Sequence, residues 1–135
     1  MAEVKWIKLD TRMFSNRKVR LIENMSNKDS IMIIWIKLLC LAGEINDSGL
    51  IYITRKLPYT AESLAEQLNR PLETVQTALE VFEDFGMIEY IEDFLHITNW
   101  EKYQSVDKMA ELKEYNRLAK QKSRARQKVL GTDEK

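Results

Sequence analysis

The stretch from Ala61 to Ile97 constrains the fold more than any other part of this chain. Ala65 is a small residue of the kind needed where two helices approach closely. Asn69, four positions on, falls where the turn needs a left-handed backbone, which Asn tolerates better than most residues. Val75, six further, is placed to pack a second helix back onto the first. Thr60 caps the first helix, with Ser63 at the third position and Glu62 near the positive end of the helix dipole. Leu64, Ala65 and Leu68 form its buried face. Asn69-Arg70-Pro71 breaks it, and Pro71 suits the first turn of a second helix running to Phe85. Leu72, Val75, Leu79, Phe82 and Phe85 point inward there, and Gly86 is a left-handed stop. Met87–Ile91 and Phe94–Thr98 then read as two short strands joined by Glu92-Asp93. This order predicts a mainly α chain with a small β-hairpin, a winged helix-turn-helix, against the alternative of generic α+β packing.

Upstream, Val4 to Leu9 reads as a short strand or extended arm with Trp6 as its apolar anchor. Ser15 or Asn16 caps a helix to about Met25, with Val19, Ile22 and Met25 spaced for burial. Ser26 and Asp29 resemble a capping box opening a longer helix to about Ile45. That helix is apolar on nearly every side: Ile31, Ile34, Trp35, Leu38, Leu39 and Ala42 form one face, and Ile33, Ile36, Cys40 and Leu41 much of the rest. It belongs in a core or a subunit interface, with Trp35 expected to be buried, partly between subunits. Asn46-Asp47-Ser48-Gly49 is a turn and Leu50–Ile53 a short β segment.

Charge divides the chain. The formal net charge is zero, but residues 1–106 carry 12 Lys/Arg against 16 Asp/Glu, and residues 107–135 carry 9 against 5. The expected organisation is a folded domain over 1–106, a basic helical extension or linker over 107–130 and a disordered end over 131–135. An acidic body with a basic tail directs attention to where the cations sit. From Lys113 to Lys128, the cations Lys113, Arg117, Lys120, Lys122, Arg124, Arg126 and Lys128 stand against Glu114 alone, a pattern that supplies salt-sensitive, sequence-independent affinity for a polyphosphate unless it is only a solvated linker helix. In the second helix of the motif, Gln76 has the amide that pairs with adenine, Thr74 and Thr77 can meet a thymine methyl or a phosphate, and Arg70 can clamp a phosphate. A solvated face is the competing reading for these residues. Glu80, Glu83, Asp84, Glu89, Glu92 and Asp93 should keep the rest of that surface away from a DNA backbone. A secondary basic patch combines Arg17, Lys18 and Arg20 with Lys5, Lys8 and Arg12. Arg55 and Lys56, past the first β segment, are weaker candidates.

Other chemistry is sparse. His96 is the only histidine; in a strand beside apolar neighbours it reads as structural rather than catalytic. Cys40, the only cysteine, excludes an internal disulfide and reads as a small buried residue. No cysteine–histidine cluster points to a metal, and the scattered glycines form no phosphate loop. No enzyme activity, cofactor or metal is expected. The run from Ile31 to Gly43 is too short to span a bilayer and is interrupted by Lys37, and the N-terminus lacks the apolar core of a signal peptide, so a cytoplasmic location follows.

Val4-Lys5-Trp6-Ile7-Lys8-Leu9, the apolar long helix, Tyr59-Thr60-Ala61-Glu62-Ser63-Leu64-Ala65, Phe85-Gly86-Met87-Ile88 and Asn99-Trp100-Glu101-Lys102-Tyr103-Gln104-Ser105 together resemble the phage replisome organiser N-terminal domain family. That family is related in architecture to the winged helices of primosomal DnaD-like proteins. The resemblance runs from about Val4 to Lys128. It implies the N-terminal part of a longer protein that binds double-stranded DNA at a phage replication origin, self-associates, and helps recruit the host helicase or its loader through a further C-terminal region. The residues leave two other functions open: a transcriptional regulator of the same fold, and an oligomerisation or protein-docking module without direct DNA contact.

Overall fold

The computed structural model describes residues 5–104 and Arg117. Contacts divide the chain into two units, Met1–Gln104 and Ser105–Lys135. In the first, a 3-10 turn at Met13–Ser15 leads into α1 (Arg17–Glu23) and α2 (Lys28–Ile45). Strands β1 (Leu50–Thr54) and β2 (Leu57–Pro58) follow, then α3 (Ala61–Leu68), α4 (Leu72–Asp84), β3 (Ile88–Ile91), β4 (Phe94–Ile97) and α5 (Trp100–Gln104). The strands form one four-stranded antiparallel sheet in the order β2-β1-β4-β3. The domain is therefore mixed α/β, with more sheet than the single hairpin expected from sequence. The β1–β2 hairpin escaped prediction because its second strand is two residues long and ends on Pro58, leaving no alternation to detect.

Local chemistry explains most boundaries. The Asn16 side chain caps α1 by accepting from the amides of Lys18 and Val19. Thr60 and Ser63 form a reciprocal capping box on α3, the Ser63 amide reaching Thr60 Oγ1 at 3.0 Å and the Thr60 amide reaching Ser63 Oγ at 2.9 Å. α3 ends in a Schellman motif: Asn69 sits at φ 55, its amide bonds the Glu66 carbonyl, and the Arg70 amide bonds that of Ala65. α4 ends the same way. Gly86 is at φ 71, with its amide on Glu83 and the Met87 amide on Phe82. Glu92 and Asp93, at φ 50 and 72, make the type I′ turn that suits the right-handed twist of β3 and β4.

α2 runs through the middle of the core. Its Ile31, Ile34, Leu38 and Ala42 are buried with Ile22 of α1, Ile51 of β1, Leu64 of α3, Val75, Ala78 and Phe82 of α4, and Ile88, Leu95 and Ile97 of the sheet. Trp35 is half-buried, with its ring 5.0 Å from that of Phe82. Burying Phe82 contributes about 2–3 kcal/mol.

Several details differ from the sequence reading; Leu72, expected to point inward, is exposed at the start of α4. Trp6 is 75% exposed, and Ile7 is the residue of the arm that packs on the core. The arm, from Lys5 to Asp10, has no regular secondary structure. It is tied down instead by Gln104, whose amide accepts from the Lys8 N–H and donates to the Lys8 carbonyl, both at 2.7 Å. Cys40 is exposed, because α2 turns its Ile33–Cys40 side away from the core. α2 starts at Asn27 without a side-chain cap, so Ser26 and Asp29 form no capping box, and Pro71 occupies the N-cap of α4 rather than its first turn.

Gly43 and Gly49 show why the arm and α5 sit where they do. A Cβ on Gly43 would lie 2.5 Å from Ile7 Cγ2, and one on Gly49 would lie 2.5 Å from Trp100 Cβ. Each glycine leaves the space that its large neighbour fills.

Candidate nucleic-acid interface

The α3–turn–α4 pair presents the residues singled out on the second helix. Gln76 and Thr77 are exposed on α4, while Thr74 is half-buried beside them. Buried Val75, Ala78, Leu79 and Phe82 hold the opposite side of α4 against the core, so Gln76 and Thr77 are presented by a rigid element. Arg70 is half-buried, and its guanidinium folds back to donate to the Asn69 carbonyl at 2.8 Å. In this arrangement the Arg70 charge stays at the turn instead of reaching forward.

The rest of this surface is acidic. Glu73, Glu80, Glu83 and Asp84 are exposed along α4, and Glu89, Glu92 and Asp93 are exposed on the β3–β4 hairpin. Two tyrosines register local environments. The Tyr90 hydroxyl is pushed above its ordinary value by burial and then by the charge of Glu83. Tyr59 is raised by burial and then by Glu44.

The basic groups of α1 are arranged differently from the scattered patch that sequence offered. Arg17, Lys18 and Arg20 are all exposed. Arg17 and Arg20 line an open surface depression with Ser15, Leu21 and Asn24. The Lys18 ammonium instead approaches Gly86, where an added Cβ would lie 3.6 Å from Nζ. That puts a cation at the C-terminal end of α4, where it complements the helix dipole. Of the tail residues, Arg117 is helical and exposed; Lys113, Lys120, Lys122, Arg124, Arg126 and Lys128, and the expected boundaries at 107–130 and 131–135, lie outside the described residues.

A cationic feature that sequence ranked low is set apart by the sheet. Arg55 and Lys56 form the two-residue turn of the β1–β2 hairpin, between the paired Thr54 and Leu57. Asp47 braces this hairpin from the α2–β1 turn. Its carboxylate accepts from the Tyr52 hydroxyl at 2.7 Å and lies 3.5 Å from the Arg55 guanidinium. The hydrogen bond to Asp47 is the main cause that holds the Tyr52 hydroxyl above its ordinary value, followed by burial.

His96 is structural, one ring nitrogen facing Glu89 and the other the Ser48 carbonyl. Among the described residues no group of three or more His, Cys, Asp or Glu side chains is placed to hold a metal ion, and no helix is long and apolar enough to cross a membrane.

These elements define a small mixed α/β domain built on a helix–turn–helix pair with two adjoining hairpins. The chain belongs to the N-terminal phage replisome organiser family, whose model matches residues 6–125. Membership links it to phage DNA replication and its machinery. No curated protein and no solved structure matches the chain.

Proposed function

We propose that this chain is the winged-helix DNA-binding domain of a phage replication initiation protein. In this reading it engages double-stranded origin DNA in the cytoplasm of the host cell, self-associates there, and helps bring in the host helicase or its loader through a further C-terminal region. It is a binding module and not an enzyme. The observation that carries the reading is the α3–Asn69–α4 pair followed by the Gly86 stop and the β3–β4 hairpin, in a member of a replisome organiser family. α4 enters the major groove by its first turns, where Gln76 and Thr77 are exposed and Thr74 lies beside them, with Glu73 and Glu80 one turn to either side on the same face. Each well-made base pairing there is worth about 1–3 kcal/mol of discrimination. The basic tail supplies non-specific affinity through Lys113, Arg117, Lys120, Lys122, Arg124, Arg126 and Lys128, with Arg17 and Arg20 as a secondary patch.

The test is a gel shift of the full chain with the phage's own origin DNA against random DNA. Preference for origin DNA supports the reading. Equal affinity for both removes the specificity assigned to α4, and no binding to either leaves an oligomerisation or docking module. Truncation before Lys113 should weaken binding to all sequences alike and flatten the salt dependence by about 0.9 for each phosphate no longer neutralised. Q76A/T77A should erode only the preference for origin DNA.

A further inference from the structure

The surface usually offered to a duplex by a helix–turn–helix and its following hairpin is, in this chain, largely anionic. Glu73, Glu80, Glu83 and Asp84 on α4 and Glu89, Glu92 and Asp93 on β3–β4 are all exposed. A Glu92–Asp93 tip would meet phosphates with like charge. The sheet register places a tip of the opposite sign beside it. Leu50 pairs with His96 and Ile51 with Leu95, so β1 runs towards the Glu92–Asp93 end of β4. By that register the Glu92–Asp93 turn is level with Ile53 and Thr54, and the Arg55–Lys56 turn lies beyond it. The more projecting tip at this end of the sheet is the cationic one.

We infer that the β1–β2 hairpin, with Arg55 and Lys56 at its turn, is the ribbon that contacts the duplex backbone, in place of the acidic β3–β4 hairpin. The inference rests on the DNA-binding reading above and adds a contact site to it. Arg55 is 72% exposed at its side chain, and Lys56 is exposed with no ion-pair partner among the described residues. Asp47 does not cancel Arg55. The contact is long, at 3.5 Å, and open to solvent on the Arg55 side although Asp47 is only 20% exposed, so its effect is to aim the guanidinium while leaving its outer face open to a phosphate. The Tyr52–Asp47 bond and the edge-on packing of Tyr52 against Phe94, 6.2 Å between ring centres, stiffen the base of the ribbon. The flanks are apolar: Ile53 and Leu57, either side of the turn, are 46% and 53% exposed, and nothing in the described fold covers them. A narrow ribbon with two cations at the tip and apolar flanks suits a groove lined by phosphates and sugars.

The experiment is a fluorescence-anisotropy titration of the full chain against a labelled random-sequence duplex over a series of salt concentrations. R55A/K56A should lower the salt slope by about 1.8, two phosphates at 0.9 each. Its affinity deficit should accordingly shrink by about tenfold as salt rises from about 50 to about 200 mM. R55K/K56R keeps both charges and should keep the wild-type affinity and slope. An R55A/K56A protein with an unchanged slope overturns the inference. So does an equal loss in R55K/K56R, because the effect would then be on hairpin structure and not on charge. A wild-type chain that binds no duplex at any salt instead overturns the DNA-binding reading on which the inference rests.

Discussion

His96 faces Glu89 directly across the β3–β4 ladder, with Nδ1 2.8 Å from the carboxylate Oε2. The other ring nitrogen, Nε2, lies 3.0 Å from the backbone carbonyl of Ser48. One side chain thus ties the outer strand of the sheet to the turn that follows α2. Ser48 in turn donates from its hydroxyl to Glu101 of α5 at 2.6 Å.

His96→Ala should remove both links and lower unfolding free energy by about 1 kcal/mol, a typical net hydrogen-bond contribution, since Glu89 is half exposed. Urea denaturation followed by tryptophan fluorescence measures it. An unchanged midpoint would show that the ring is only a surface feature.

Gly49 is the tightest point between that turn and α5. Gly49→Ala must adopt φ 92 and place a Cβ 2.5 Å from Trp100 Cβ. Left-handed strain and overpacking together should cost about 2–4 kcal/mol. The same denaturation experiment, with near-ultraviolet circular dichroism to follow the displaced Trp100, checks the size and the cause.

Asn69 sets the turn of the helix–turn–helix at φ 55. Asn69→Gly should leave stability within a few tenths of a kcal/mol of wild type, whereas Asn69→Ala should cost about 1 kcal/mol and Asn69→Val more, because a Cβ branch resists the left-handed region. Thermal unfolding of the three variants gives the ranking. Equal melting temperatures would show that the turn relaxes out of that conformation without penalty.

Tyr52 gives a pH dependence. Its hydroxyl is held above the ordinary 10.0, first by the bond to Asp47, so the fold favours the neutral phenol. The associated stability is fully present below pH 10 and is lost as pH rises through the raised folded value. Tyr52→Phe keeps the ring but loses the bond, so it should be less stable than wild type at neutral pH by about 1 kcal/mol. The gap should narrow in the alkaline range. Denaturation curves on both sides of pH 10 test this, and a gap independent of pH would count against the Asp47 bond as the cause.

Much of this protein was legible in its sequence where neighbours along the chain decide the outcome, the Ser26–Asp29 capping box and the place of Pro71 excepted. Asn16, Thr60 with Ser63, Asn69, Gly86 and Glu92-Asp93 each bear on backbone groups within a few residues, and all five sit where their chemistry places them. Val75, Leu79 and Phe82 of α4 face inward as helical period placed them, whereas Leu72 at the helix start is exposed. What only the tertiary structure decided are choices set by contacts between residues far apart in the chain. Ile7 rather than Trp6 anchors the arm because Gly43 leaves a gap that fits it, and Gln104 holds the arm's backbone from 96 positions away. Cys40 is exposed because α2 is apolar nearly all round, and periodicity cannot say which side of such a helix meets the core. Arg55 and Lys56 were an ordinary pair of cations in one dimension. They became a projecting tip only once β1 paired with β4 and the register ran them past Glu92 and Asp93, a relation fixed by which strands share hydrogen bonds and not by any local preference.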